Sequence, residues 1–267
     1  MLTESNRQRK KTREKPAVAN DEDKLPFTVH LEELRSRLIV CFIAIGVGFA
    51  ASYFFKEQLF EILMRPLKEV MKTGDKVIFT GLPEAFFTYL KVSLLSGLMI
   101  AIPIILYQFW MFVAPGLYEK EKRLVMPIVL LSSFFFLGGS LFGYFIVFPY
   151  GFEFFLSFSN DTIQALPSMR EYLSFSAKLL IAFGLAFELP LVLTLMARIG
   201  LVSVEFLKKN RKYAILIFFA GAAMLTPPDV VTQIMLGVPL MALYELSILG
   251  AKLFGKKPRM EDEPEVS

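Results

Sequence analysis

Three long stretches without a charged residue are the feature that most restricts how this chain can fold. They run from Leu38 to Phe55, from Val92 to Tyr118 and from Leu124 to Phe152. A helix needs about 20 apolar residues, each rising about 1.5 Å, to cross roughly 30 Å of hydrocarbon. The composition agrees, because 55% of the 267 residues are hydrophobic and 28 are phenylalanine. The sequence therefore predicts an all-α integral membrane protein.

Three further apolar stretches bring the predicted number of transmembrane helices to six. Leu179–Ala197 is long enough to span but contains Glu188, whereas Tyr213–Pro228 and Val230–Ala251 are separated by the segment TPPD. Five prolines lie within the spans and predict kinks, because proline removes a backbone donor. Such kinks favour a cupped bundle. The prolines are Pro103, Pro127, Pro149, Pro190 and Pro239.

The fifth and sixth predicted helices are short. The fifth has only 13 residues from Tyr213 to Leu225, which is roughly 20 Å of helix. The purely apolar part of the sixth runs from Ile234 to Tyr244. Both are shorter than the hydrocarbon is thick, so one side of the molecule should be thin. The TPPD turn is then expected to face an aqueous concavity.

Basic residues predict which side of the membrane the termini occupy. An even number of spans places both termini on the same side of the membrane. Most lysine and arginine residues lie in the terminal segments and in the loops on that same side. Positive residues near span ends are retained in the cytoplasm, so both termini are predicted to be cytoplasmic. Residues 1–24 form a basic tail and residues 256–267 a second tail, both predicted to be disordered. A six-helix membrane domain is expected over residues 25–255.

The residues needed for most enzyme chemistry are scarce. His30 is the only histidine and Cys41 the only cysteine, which excludes a multi-histidine metal site and an internal disulfide. No pattern typical of a metal-dependent or serine hydrolase is present. No catalytic residue, metal or cofactor is therefore predicted. The net charge of +4, without a recognisable binding motif, gives no case for nucleic acid.

Glu188 is a carboxylic acid in an otherwise apolar span. A charge at the bilayer centre costs about 2.5–3.5 kcal/mol on insertion scales, and protonation would lower that cost. One interpretation is a protonated side chain hydrogen-bonded to a neighbouring helix. The other is a pathway, a proton site or a docking site for a polar partner, with Thr226 and Gln233 as candidate companions.

A second group of polar residues lies at the predicted cytoplasmic edge. The segment HLEELRSRL, from His30 to Leu38, predicts an amphipathic helix that enters the first span. Glu33 and Arg37 are four residues apart with the acid first, the favourable order for an ion pair. From the chemistry alone, this face and the loop APGLYEKEKR are ordinary solvated surface.

Taken together, these segments resemble the TatC family, the multi-spanning subunit of the twin-arginine protein translocase. The matching segments occur in order over roughly residues 25–255. They are HLEELRSRL, PIILYQFWMFVAPGLYEKEKRL, YFIVFP, SFSAKLLIAFGLAFELP and LTPPDVVTQIMLGVPL.

The resemblance implies a glove-shaped bundle of six helices in the bacterial cytoplasmic membrane, with short fifth and sixth helices. TatC-like proteins bind twin-arginine signal peptides of folded cargo. With TatA-type and TatB-type single-span partners, they move that cargo across the membrane using the proton-motive force. The resemblance also implies a homo-oligomer within the receptor complex and contact with membrane lipid.

The resemblance implies a signal-peptide site on the cytoplasmic surface. Glu33 and Glu121 match the acids that recognise the arginine pair. Phe112 and Tyr118 lie on the same surface. Arg35 completes the motif HLEELRSRL, which also contains Glu33. A carboxylate accepts two parallel hydrogen bonds from the planar guanidinium of arginine, which lysine cannot reproduce. Two acids would thus explain a preference for two arginines.

The resemblance also implies a docking site inside the membrane. Glu188 matches the acid of the fourth span, which faces the concave surface and meets a polar residue of a TatA-type or TatB-type helix. Thr226 and Gln233 match further members of this site. The turn between the last two helices is formed by Pro227, Pro228 and Asp229.

Two other functions remain open from the residues alone. A proton-coupled secondary transporter would use Glu188 as its titrating group and the broken fifth and sixth helices as its pathway. An intramembrane hydrolase is the other, but the sequence shows no pairing of nucleophile and base.

Overall fold

The computed structural model describes residues 25–71, 77–113, 125–160, 165–225 and 230–255. These residues are helical, apart from short connections and one isolated β-bridge. The predicted tails and the TPPD turn lie outside them. The helices are α1 (Leu25–Tyr53), α2 (Lys56–Val70), α3 (Glu84–Val113), α4 (Val125–Phe142), a π-helical turn (Gly143–Val147), α5 (Phe148–Leu156), α6 (Met169–Phe187), α7 (Leu189–Ile199), α8 (Val204–Lys209), α9 (Arg211–Leu225) and α10 (Val230–Phe254).

Within the described ranges, five helical stretches are long and apolar enough to cross a membrane. They overlap the first three predicted spans and contain the fourth and the sixth. The predicted fifth span is α9, which has 15 residues and is short, as the sequence predicted. The five stretches are His30–Tyr53, Glu84–Val113, Val125–Leu156, Met169–Ile199 and Val230–Phe254.

The prediction of a short sixth helix was wrong. Helix α10 has 25 residues, about 37 Å at 1.5 Å per residue. Glu245 does not end it, because glutamate is a good helix former, and its carboxylate accepts a hydrogen bond from Arg211 Nη2 at 2.7 Å. Lys252 lies in the last turn of α10, where a positive charge is favourable.

Two of the five prolines coincide with interruptions of a helix. Pro190 follows the break between α6 and α7, and Pro149 lies in the first turn of α5, after the π-helical turn. Pro103 and Pro239 lie inside continuous helices, and Pro127 is near the start of α4. Proline alone therefore does not predict where these helices break.

Helices α1 and α3 cross with their backbones in contact. A Cβ atom added to Gly97 would lie 2.4 Å from the backbone nitrogen of Phe49, and one added to Gly48 would lie 2.6 Å from the carbonyl oxygen of Gly97. Small residues allow such close approach between membrane helices. This crossing brings the start of α1 beside the end of α3.

Helix α2 was not predicted from the sequence, and two tyrosines hold it against the bundle. Pro66 has no N–H, so the carbonyl of Ile62 one turn earlier lacks its helical donor. The hydroxyl of Tyr144, in the π-helical turn, donates to that carbonyl at 2.5 Å. Tyr172 of α6 donates to the adjacent carbonyl of Leu63.

Tyr144→Phe is expected to lower the free energy of unfolding by about 0.5–1.5 kcal/mol, because the Ile62 carbonyl loses a donor without loss of the ring. Thermal unfolding in detergent would measure the change. Tyr150→Phe is the control, because Tyr150 is exposed, and an equal effect of the two substitutions would contradict the prediction.

The segment before α3 is joined to the segment before α6. Ile78 and Ser168 form the isolated β-bridge. The N–H of Ile78 donates to the carbonyl of Pro167 at 3.1 Å, and the N–H of Met169 donates back to the carbonyl of Ile78 at 2.9 Å.

The carboxylate of Glu84 strengthens this junction by accepting five hydrogen bonds. Its Oε2 accepts from Thr80 N at 2.6 Å, Thr80 Oγ1 at 2.9 Å and Gly81 N at 3.2 Å. Its Oε1 accepts from Ser168 Oγ at 2.8 Å and Arg170 N at 2.9 Å. One side chain thus ties together the starts of α3 and α6.

Candidate functional site

The first candidate site, the recognition surface, is built from the start of α1 and the end of α3. Glu33 Oε1 accepts hydrogen bonds from Arg37 Nε at 3.0 Å and Arg37 Nη2 at 2.6 Å. Arg37 Nη1 donates to Gln108 Oε1 at 3.1 Å. The predicted ion pair between Glu33 and Arg37 is confirmed, and it reaches across to α3.

An aromatic stack completes the recognition surface. The rings of His30 and Phe112 lie 4.2 Å apart with an angle of 17° between their planes. His30 Nδ1 is 3.8 Å from Glu33 Oε2. Sequence reasoning missed the contributions of His30 and Gln108, because each depends on the crossing of two helices that are distant in sequence.

The other residues predicted for this surface are not all brought together. Arg35 is exposed and lies about 200° around α1 from Glu33, on a different face of the helix. Tyr118 and Glu121 lie outside the described residues. Their roles stay predictions.

The chemistry of this surface suits a guanidinium group. Glu33 already binds one, and its side chain is 32% exposed while that of Arg37 is 19% exposed. Partly exposed ion pairs are weak because water and salt screen them. The carboxylate is thus bonded to one guanidinium while part of it stays open to solvent.

The second candidate site lies at Glu188, where α6 ends and α7 begins. Pro190 has no N–H to continue the helical pattern, and the N–H of Glu188 bonds three residues back, to the carbonyl of Leu185 at 3.1 Å. The N–H of Val192 donates to the carbonyl of Glu188 at 2.9 Å. The helical path continues through this tightened turn.

The Glu188 side chain is buried, with 7% of the residue exposed. Ser132 Oγ of α4 donates to Glu188 Oε2 at 2.7 Å, and Trp110 Nε1 of α3 donates to Ser132 Oγ at 2.7 Å. Glu188 Oε1 has no hydrogen-bond partner among the described residues. The hydrogen bond to a neighbouring helix agrees with the first interpretation of this acid.

The predicted companions of Glu188 are not bonded to it. Gln233 Nε2 donates to the carbonyl of Phe219 in α9 at 2.9 Å. The remaining members of the predicted docking site and turn lie outside the described residues. They are Thr226, Pro227, Pro228 and Asp229.

The comparisons with known proteins agree on one protein family. Residues 29–239 match the family model of TatC, the Sec-independent protein translocase protein. TatC of Desulforapulum autotrophicum is 69% identical over 246 residues, which cover 92% of this chain and 91% of that protein. TatC of Escherichia coli K12 is 37% identical over 242 residues, covering 91% and 94% respectively.

A crystal structure described as the twin-arginine translocase receptor TatC has the same fold. It superposes with a TM-score of 0.76 at 42% sequence identity, covering 84% of this chain and 98% of that chain. The described residues of both candidate sites lie within residues 29–239, the range that matches the family model. The chain therefore belongs to the TatC family of protein translocase components, a family of transport proteins rather than enzymes.

Proposed function

We propose that this chain is the receptor subunit of a twin-arginine translocase in the bacterial cytoplasmic membrane. It binds the twin-arginine signal peptides of folded precursors and docks TatA-type and TatB-type single-span proteins for export driven by the proton-motive force. The names of its relatives support this function. In this proposal α9 is the short fifth of six spans, both termini are cytoplasmic, and the bundle is cupped.

The observation that carries the proposal is the contact of Glu33 with a guanidinium group. The carboxylate accepts two hydrogen bonds from Arg37, so its position already suits arginine. We propose that an arginine of the signal peptide takes the place of Arg37, and that Glu121 receives the second arginine. Phe112 and Tyr118 would contact the apolar residues of the peptide.

Glu33→Ala and Glu121→Ala are each expected to weaken binding of a twin-arginine signal peptide by roughly ten- to a hundredfold. The reason is that a hydrogen bond to a charged group contributes about 1.5–3 kcal/mol. Photocrosslinking of the full chain in membrane vesicles would measure binding. The unmodified protein should crosslink a peptide with two lysines much less than one with two arginines.

Glu205→Ala is the matched control, since Glu205 is an exposed acid on the short helix α8. It should leave binding unchanged, and all variants should reach the membrane in equal amounts. Equal crosslinking of the arginine and lysine peptides would contradict the recognition model.

The function as a whole is tested by complementation of a bacterium that lacks its own TatC. Export of a folded reporter with a twin-arginine signal should be restored when this chain is produced with its native partners. Failure of export with correctly inserted protein and native partners would argue against the proposal.

The docking site proposed for the partner helices consists of Glu188, Thr226 and Gln233. Glu188 supports this role because one carboxyl oxygen lacks a partner among the described residues. The proposed receptor complex contains several copies of this chain and is surrounded by membrane lipid. No nucleic acid takes part.

A proton-coupled secondary transporter is the second candidate, because Glu188 is buried at a helix break. Such a protein would move a solute in proteoliposomes that contain this chain alone. A translocase receptor without its partners should show no flux in that assay.

A further inference from the structure

The last turns of α3 contribute residues to both candidate sites. Gln108 bonds to Arg37 and Phe112 stacks on His30, both at the recognition surface. Trp110 lies between them and begins the chain of hydrogen bonds to Glu188. From Gln108 to Phe112 the helix rises only about 6 Å. One short piece of helix is thus bound to both sites.

The hydrogen bonds run from Trp110 through Ser132 to Glu188. The indole N–H of Trp110 can only donate, so Ser132 Oγ accepts from it. The single hydrogen of the Ser132 hydroxyl then donates to Glu188 Oε2, which leaves Oε1 for another partner. Trp110, Ser132 and Glu188 are 5%, 0% and 7% exposed. Hydrogen bonds in such dry surroundings strengthen one another and hold their geometry tightly.

We propose that Trp110 and Ser132 are positioning residues that hold the Glu188 carboxyl and alter its position when a signal peptide occupies the recognition surface. This inference rests on the proposed function. An arginine that displaces Arg37 from Glu33 also removes the partner of Gln108, and a peptide on Phe112 disturbs the stack with His30. Both contacts restrain the turns that carry the Trp110 indole. Their release moves the indole N–H away from Ser132.

The chain contains a probe for this movement, because Trp110 is its only tryptophan. The emission of an indole depends on the hydrogen bond and polarity at its N–H. In the purified full chain, a tryptophan-free twin-arginine peptide is expected to shift Trp110 emission, whereas a matched twin-lysine peptide is not. Ser132→Ala is expected to shift the emission before any peptide is added and to remove the response to the arginine peptide.

Ser133→Ala is the matched control. Ser133 is also a buried serine of α4, but its hydroxyl donates to the carbonyl of Val129 in its own helix. It should leave both the starting emission and the peptide response as they are in the unmodified chain. Ser132→Cys, which changes volume little and bonds weakly, serves as a second variant if Ser132→Ala folds poorly. It should behave like Ser132→Ala.

Peptide binding is followed in the same samples through the anisotropy of a dye on the peptide. An arginine peptide that binds without changing Trp110 emission overturns the inference and leaves the proposed function intact. A peptide response that survives in Ser132→Ala also overturns it. If the arginine peptide does not bind to the unmodified chain, the proposed function fails and the inference fails with it.

Discussion

Gly97→Leu is expected to abolish signal-peptide binding and to reduce accumulation of the protein in the membrane. A side chain at this position would begin 2.4 Å from the backbone nitrogen of Phe49 and 2.7 Å from the backbone carbon of Gly48. Rotation of a side chain cannot relieve a collision with backbone, so α1 and α3 must separate. Overpacking of this kind costs about 1–3 kcal/mol where the surroundings can adjust, and more where they cannot.

The effect on binding follows from what the two helices carry. Glu33 and Arg37 lie on α1, and Gln108 and Phe112 lie on α3. Separation of the helices therefore removes the recognition surface as well as stability. Thermal unfolding in detergent and crosslinking of a twin-arginine peptide would measure the two losses.

Gly46→Leu provides the control in the facing helix. A Cβ atom at Gly46 would have no atom within 4 Å, so a larger side chain there points away from the crossing. It should unfold and bind peptide as the unmodified chain does. A Gly97→Leu protein with an unchanged unfolding midpoint would show that the helices do not approach as closely as described.

The spans could be predicted because each depends on consecutive residues. A long run of residues without charge indicates that the whole helix lies in the hydrocarbon of the membrane, whichever helices surround it. The length of α10 could not be predicted in this way. Glu245 interrupts the apolar run, but its partner Arg211 is 34 residues earlier, and only the folded chain shows that the acid is paired.

The same distinction applies to the candidate sites, where a contact between residues close in sequence could be predicted and a contact between distant residues could not. The ion pair of Glu33 and Arg37 follows from a spacing of four residues on one helix, and it was predicted. The hydrogen bond from Ser132 to Glu188 joins residues 56 apart. No local pattern specifies that contact, so the sequence could indicate that Glu188 needs a polar partner but could not identify Ser132.

The two buried acids of the described residues are held very differently. Glu84 accepts five hydrogen bonds with its two oxygens, three of them from backbone N–H groups. Glu188 accepts one. A fully satisfied carboxylate is suited to a fixed structural role, whereas a carboxyl with an unpaired oxygen is suited to a further partner. Sequence analysis selected Glu188 and overlooked Glu84, because an acid at the start of an apolar helix is not unusual.

Glu84→Ala is therefore expected to be among the most destabilising single substitutions in this chain. It removes the acceptor of the N–H groups of Thr80, Gly81 and Arg170 together, and unpaired donors in a partly buried junction are unfavourable. The segment before α3 should come away from the start of α6. Limited proteolysis should show faster cleavage between residues 77 and 84, with a lower midpoint of thermal unfolding.

Two comparisons make this expectation specific to the carboxylate. Glu84→Gln keeps one acceptor oxygen but replaces the other with a donor, so its unfolding midpoint should lie between those of Glu84→Ala and the unmodified chain. Glu171→Ala removes an exposed acid from the first turn of α6 and should have little effect. If Glu84→Ala and Glu171→Ala unfold alike, the junction is held by the β-bridge between Ile78 and Ser168 rather than by Glu84.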